Sequence, residues 1–253
     1  MQAFAVPDLP EVHPGDDLAA LVADRTDLRD GDVVLIASTV VSKAEGRTAA
    51  LDDYEPGEQA RAIADRLAAV TDEPKDPRFA QAVIEESTDL LTTAPFVLAV
   101  TRFGHVGVNA GIDRSNTGGA DLLLLPADPT ESADRIREGL DADVAVIVTD
   151  TSGRPFRNGQ RGVALGWSGL PATRDWRGEV DRDGRELAAT VEAVVDELAA
   201  TANLVTGEGD GGTPVAVVRG VDVDSLAGTD RLFREPETDF VRQALTEWSY
   251  EGH

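Results

Sequence analysis

The chain has 253 residues, 42% of them hydrophobic, which is enough to bury a full core and excludes a disordered acidic tail. Its net charge of −24 and pI near 4.3 argue against a nucleic-acid backbone or an anionic membrane as the main partner. With no cysteine, disulfides and thiolate metal sites are excluded. No apolar run approaches the roughly 20 residues of a spanning helix and nothing resembles a signal peptide, so a soluble cytoplasmic protein is expected. Lys43 and Lys75 are the only lysines. Many carboxylates and so little lysine resemble a salt-adapted surface, and a halophilic cytoplasm is predicted.

Pro7, Pro10 and Pro14 predict an extended start. Asp16-Asp17 then opens a short helix to about Asp24, its acids at the favourable end of the dipole. Asp30-Gly31 reads as a turn before a buried strand over 33–37, which runs into Ser38-Thr39-Val40-Val41-Ser42-Lys43-Ala44-Glu45-Gly46-Arg47. An ammonium near hydroxyls at a strand end suits an anion such as phosphate; a strand-edge Lys43 paired with Glu45 is the alternative. Helices are predicted over 57–70 and 78–87, strands over 90–100 and 106–109. The polar run 109–119 is a loop in which Asp113 and Asn116 read either as metal and ligand groups or as an Asx turn. A strand over 122–125 follows. Asp128-Pro129-Thr130-Glu131 is a structural helix start, the helix running to about Gly139.

The chain is organised around residues 144–162. Val144, Ala145, Val146, Ile147 and Val148 form a run suited to a strand buried on both faces. It is expected to stop at Thr149-Asp150-Thr151, since Gly153 and Pro155 forbid continuation. Asp150 then precedes Arg154, Arg157 and Arg161, a grouping that could hold a divalent cation beside phosphate or carboxylate oxygens, or could be a solvated turn. Beyond a glycine-rich passage over 163–169 and a charged run over 174–185, the longest helix is predicted over 185–204. Its stripe is Leu187, Val191, Val194, Val195, Leu198 and Ala202, a core or a dimer face. The loop Thr206-Gly207-Glu208-Gly209-Asp210-Gly211-Gly212 follows, then a strand over 214–218 and a closing helix over 237–248. This loop matches GxGxxG, but a helix precedes it and a strand follows, the reverse of a dinucleotide fingerprint. Its glycines could still let backbone approach phosphates, with Glu208 and Asp210 reaching a cation. No Walker A motif, histidine metal spacing or hydrolytic triad is present.

Together these loops resemble one family closely, the coenzyme F420-0:L-glutamate ligases of coenzyme F420 biosynthesis. The carrying segments are Gly15-Asp16-Asp17-Leu18, Asp30-Gly31-Asp32-Val33, Ser42-Lys43-Ala44-Glu45-Gly46-Arg47, Asn109-Ala110-Gly111-Ile112-Asp113, Asp150-Thr151-Ser152-Gly153-Arg154-Pro155, Asp196-Glu197-Leu198-Ala199 and Gly207-Glu208-Gly209. The resemblance covers nearly the whole chain. It implies an archaeal stand-alone form in which GTP drives addition of one L-glutamate to coenzyme F420-0 and then a second through a γ-linkage. Divalent metal is implied (Mn²⁺ or Mg²⁺, two ions), with K⁺ assisting. The implied fold is α/β (α+β), a single domain over 1–253 or two interleaved subdomains, with mixed sheets and packed helices in an intertwined homodimer, neither Rossmann nor P-loop.

Carried over residue by residue, the resemblance puts GTP against Leu9, Pro10, Glu11, Val12, Ser38, Thr39, Lys43, Asn116, Thr206, Gly207, Glu208, Gly209, Asp210, Gly211, Gly212 and Thr213. It puts metal on Asp113, Asp150, Thr151 and Glu208, the last standing where many members carry Gln. Amide formation from a carboxylate needs activation, most simply as an acyl phosphate made with the γ-phosphate of GTP. That step joins anions, so Lys43, Asp150 with its metal, and Arg154 are the expected catalytic groups. Another metal-dependent nucleotide phosphohydrolase is the alternative reading.

Overall fold

Val33, Val34, Leu35 and Ile36 are all excluded from solvent, and strand alternation sends them by turns to two different cores. The computed structural model describes residues 1–209, 211–222, 228–248 and 250. In chain order the elements begin with β1 (Gln2–Ala5), α1 (Leu18–Ala23), β2 (Val33–Ala37), α2 (Ser38–Ala44), β3 (Thr48–Ala49), α3 (Glu58–Thr71) and α4 (Pro77–Glu85). Next come β4 (Ser87–Thr92), β5 (Leu98–Thr101), β6 (Val106–Val108), β7 (Leu122–Leu123), α5 (Pro129–Glu138), β8 (Ala145–Arg154) and β9 (Arg157–Ser168). The chain closes with β10 (Thr173–Asp175), β11 (Val191–Glu192), α6 (Val194–Thr206), β12 (Val215–Arg219), β13 (Gly228–Thr229) and α7 (Phe240–Glu247). Helix starts follow the expected chemistry. Asp17, Asp76, Asp128 and Asp239 each accept first-turn N–H groups, and Pro77 and Pro129 occupy positions where no N–H is needed.

The fold is mixed α/β with several sheets, and the chain divides into two compact units: Met1–Glu45 with Asp128–Leu232, and Gly46–Ala127 with the chain from Phe233 onward. The first unit holds a five-stranded sheet ordered β1-β12-β2-β8-β9, in which only β2 and β8 run parallel. On one face Val34, Ile36, Val146, Val148, Val215 and Val217 pack against α1, α2 and α5. On the other, Val33, Leu35, Ala145, Ile147, Ala216 and Val218 pack against α6. A short β11-β10-β13 sheet belongs to the same unit.

Strand β9 serves both helix layers because it carries a bulge. Thr149 pairs with Ala164 and Val148 with Gly166, leaving Leu165 as the extra residue. The bulge reverses the facing of the strand. Gly162 lies against α6, where a Cβ would strike the Ala199 carbonyl, and Gly166 lies against α5, where a Cβ would strike the Pro129 carbonyl carbon. Beyond the bulge Ser168 donates to Asp134 of α5 at 2.5 Å.

The entry to β2 is fixed by charge. Asp32, 1% exposed, accepts Arg219 Nε at 2.7 Å and Nη2 at 2.6 Å, and the Arg29 N–H at 2.9 Å. Burial alone would raise its pKa. The Arg219 hydrogen bonds, the Arg29 N–H and the nearby positive charge outweigh that and hold the carboxyl below its ordinary 3.8.

The second unit contains the β3–β7 pair and the antiparallel β4-β5-β6 sheet, with α3 and α4 around a core of Leu51, Tyr54, Ile63, Val83, Val97 and Leu122. His105 is buried here between Phe103 and Phe233, at ring separations of 6.5 and 6.2 Å.

Several sequence expectations are corrected. Strand β8 does not stop at residues 149–151 but continues to Arg154, because Pro155 and Phe156 sit in the hairpin turn itself, with Phe156 at φ 64°. Of the glycine-rich 163–169 passage, residues 163–168 are the second half of β9 and Gly169 lies just beyond it. The predicted 185–204 helix begins only at Val194. Upstream, the Leu187 N–H donates to Glu179, Trp176 N–H donates to Thr190, and Glu192 pairs with Arg174, so those groups are committed to strand-like pairing. Val191 is thus exposed, while Val194, Val195, Leu198 and Ala202 form the buried stripe. The predicted 90–100 strand is two strands, β4 and β5, turning at Pro95. No helix of the described residues is long and apolar enough to cross a membrane.

Burial pushes the His105 imidazole down to about 4, so the folded chain carries it neutral. Its folded pKa lies below the ordinary 6.5, so its contribution to stability is complete above pH 6.5 and is lost as pH falls toward 4. His105→Phe is expected to flatten the fall in urea midpoint across that window; an unchanged slope would assign the loss elsewhere. Gly166→Ala is expected to cost about 1–3 kcal/mol or more in the same measurement, since the obstacle is backbone.

Candidate functional site

In the first unit three segments converge at the carboxyl end of the parallel β2–β8 pair. Ala37, the last residue of β2, pairs with Thr149 of β8, and its N–H donates to the Pro214 carbonyl at 2.8 Å. This end of the sheet therefore carries Ser38 and Thr39 at the start of α2, Asp150 and Thr151 on β8, and the glycine loop that leads into β12. Such a strand end is where an open α/β sheet presents ligands. Gly207 and Gly212 hold φ values of 72° and 60°, which lets the loop leave α6 and turn into β12.

The loop is fastened to the sheet through one carboxylate. Thr151 Oγ1 donates to Glu208 Oε1 at 2.7 Å, and Asn203 Nδ2, from the last turn of α6, donates to the same oxygen. Thr213 Oγ1 closes the loop by donating to the Thr206 carbonyl at 3.1 Å. Asp150 is half-buried on β8, beside Thr151. The Thr151 hydroxyl and the Glu208 carboxylate are hard oxygen donors of the kind a small divalent cation such as Mg²⁺ or Mn²⁺ takes, and no described residue donates to Glu208 Oε2. Asp150, the adjacent strand residue, faces the other side of the sheet, and no group of three or more His, Cys, Asp or Glu is gathered among the described residues. Asp210 lies outside the described residues.

Lys43 falls in the last turn of α2, not at a strand edge, and its partner is Glu11 at 2.6 Å, not Glu45. The lysine side chain is 13% exposed and Glu11 63%. The Lys43 hydrogen bond and charge lower the Glu11 pKa below its usual 4.5. Two separate stretches of the expected nucleotide site, Leu9–Pro10–Glu11–Val12 and Lys43, are thereby brought into contact. Leu9 and Val12 pack into the α1–α2 core beneath them, leaving Pro10 exposed. Glu45 instead accepts Ser132 Oγ and Arg135 Nη2, each at 2.5 Å.

The arginines divide by role. Arg161 pairs with Asp196 at 3.5 Å, and Asp196 also accepts the Ala164 N–H at 2.9 Å, so this pair ties β9 to α6. Arg154 stands exposed at the end of β8, four residues past Asp150 and about 13 Å along the strand. The hairpin from there to Arg157 extends beyond the last β2 pairing.

Asp113 and Asn116 belong to the second unit. Asp113 accepts the Ser115 N–H and Oγ, each at 2.8 Å, which is the Asx turn, and Asn116 adopts φ 52°. Arg47, also in this unit, pairs with Glu86 at 2.5 Å and donates to the Leu125 carbonyl at 2.9 Å. Sequence reasoning missed Asn203, whose place in a helical run gave no sign of its contact with Glu208.

The family model described as F420-0:Gamma-glutamyl ligase matches residues 8–220. The chain is 71% identical over 252 residues to the coenzyme F420:L-glutamate ligase of Halobacterium salinarum, covering all of both chains. It is 66% identical over 253 residues to that of Natronomonas pharaonis, covering 100% of this chain and 99% of the relative. Against that of Archaeoglobus fulgidus it is 46% identical over 249 residues, covering 97% and 98%.

Thr151→Val keeps the shape of the side chain and removes its donation to Glu208. At about 1 kcal/mol for the lost bond, amide exchange in the described part of the 207–213 loop is expected to quicken roughly five-fold, with the β8 core unchanged. Unaltered exchange in the loop would show that the contact does not hold it.

Proposed function

This chain belongs to the F420-0:gamma-glutamyl ligase family, and from that premise we propose that it adds L-glutamate to coenzyme F420-0 in coenzyme F420 biosynthesis, driven by GTP. The family match across the chain carries the assignment of substrate and bond type. The convergence of Ser38, Thr39, Thr151, Glu208 and the glycine loop at one strand end supports the nucleotide and metal reading.

In this reading GTP lies along 9–12, Ser38-Thr39, Lys43 and the 206–213 loop, and Asn116 of the second unit is a further candidate residue for it. Asp150, Thr151 and Glu208 would hold divalent metal, Mn²⁺ or Mg²⁺, and Asp113 of the second unit is a further candidate ligand. Such an ion would neutralise phosphate oxygens and polarise the phosphoryl group. A second divalent ion and K⁺ complete the set.

The reaction joins anions, so charge must be met at each stage. A carboxylate oxygen of F420-0 attacks the γ-phosphorus of GTP, the bond to the β-phosphate oxygen breaks, and GDP leaves an acyl phosphate. Lys43, released from Glu11 as phosphate arrives, supplies a compact positive charge to the transferring group. Arg154 supplies a second. The glutamate amine then attacks the acyl carbon, loses a proton and expels phosphate, forming the amide; a second round uses the γ-carboxyl. No protein nucleophile takes part. The acid-rich, lysine-poor composition supports a salt-rich cytoplasm as the setting, and a homodimer is the working form that the family resemblance implies.

The test is a mass-resolved assay with F420-0, L-glutamate, GTP and Mn²⁺ in concentrated KCl. Products one and two glutamates heavier, with GDP formed in step, are expected; GDP without a heavier product would move the reading to a phosphohydrolase. Asp150→Asn and Lys43→Ala are each expected to lower turnover by roughly 100-fold or more. Unchanged turnover in either would remove that residue from the mechanism.

A further inference from the structure

Resting on the metal reading above, we infer that Asn203 is a positioning residue for the divalent cation: with Thr151 it holds one oxygen of the Glu208 carboxylate and leaves the other to the ion. Glu208 is exposed, on a loop that has just left the helix through Gly207 at φ 72°. Alone, that side chain would sample several rotamers. Two donors fix it instead, and both come from regular elements: Thr151 Oγ1 from β8 at 2.7 Å, and Asn203 Nδ2 from the final turn of α6.

The helix end does not need the Asn203 side chain for its own closure, because the Asn203 backbone carbonyl already accepts the Gly207 N–H at 3.0 Å. The amide group is therefore available to act on Glu208. Both donors meet at Oε1, and no described residue donates to Oε2. A carboxylate held this way by the described residues presents Oε2 and so ligates through a single atom. Small ions with strict octahedral demands, Mg²⁺ and Mn²⁺, accept such a ligand; Ca²⁺ gains more from a carboxylate that can turn both oxygens to it. Asn203 thus favours the smaller ions, and it does so only through Glu208.

The full-length protein, titrated with Mn²⁺ and read by the electron paramagnetic resonance of the free ion, tests this. Loss of an outer hydrogen-bond partner typically weakens metal binding by about 10-fold or more, so Asn203→Ala is expected to raise the Mn²⁺ dissociation constant by that factor and to narrow its advantage over Ca²⁺. In a Glu208→Ala background the same substitution is expected to add nothing, because the two residues act as one unit. Asn203→Leu, which keeps the branched outline of the side chain without its amide, makes the same comparison if the alanine variant does not fold. Unchanged Mn²⁺ affinity in the Asn203 variant, or an equal loss with and without Glu208, overturns the positioning role. If Glu208→Ala itself leaves Mn²⁺ binding intact, the metal reading falls and this inference with it.

Discussion

Strand β2 is apolar towards both faces of its sheet, so the polar requirements of that part of the chain have to be met at its two ends. At the start, the buried Asp32 is satisfied by Arg219 and a backbone N–H, which locks β2 to β12. At the finish, the Ala37 N–H takes the Pro214 carbonyl, and hydroxyls, carboxylates and glycines gather beyond it. One end is closed by an ion pair and the other is left chemically open. The division between scaffold and site in the first unit follows from that asymmetry.

The open end is assembled from groups with modest individual holds. Glu208 depends on Thr151 and Asn203, and Lys43 on Glu11. The lysine contact is of a kind that an arriving phosphate can replace, because Glu11 is largely solvated and gives up little on release. The glutamate contact differs, since its donors come from a strand and a helix whose cores are already packed. Ligand binding can rearrange the first without disturbing the second.

What could be read from the sequence tracks how local the physics is. The runs 33–37 and 144–148 announced buried strands through composition alone, and Asp128-Pro129 announced a helix start through cap chemistry within four residues. The start of α6 was illegible, because a helical spacing from Leu187 onward is overridden by backbone pairing with residues 174–181. Pro155 misled in the other direction. It breaks a strand's interior but fits a hairpin turn, and only pairing with β9 distinguishes the two. Within the site, the loops were visible as polar glycine-bearing stretches, whereas the Lys43–Glu11 and Asn203–Glu208 contacts were not. The first joins residues 32 apart and the second hides in a helix-forming run.

The bulge at Leu165 gives Gly162 and Gly166 opposite duties, each admitting the backbone of a different helix. Together they act as a detent. If β9 slid by one or two residues along β8, a side chain would be driven into a carbonyl on one helix or the other, so the strand has one seat. Asp150 pairs with Val163, between the two contacts. The register that sets Val163 opposite the acid at the centre of the proposed chemistry is therefore fixed by two side chains the chain does without.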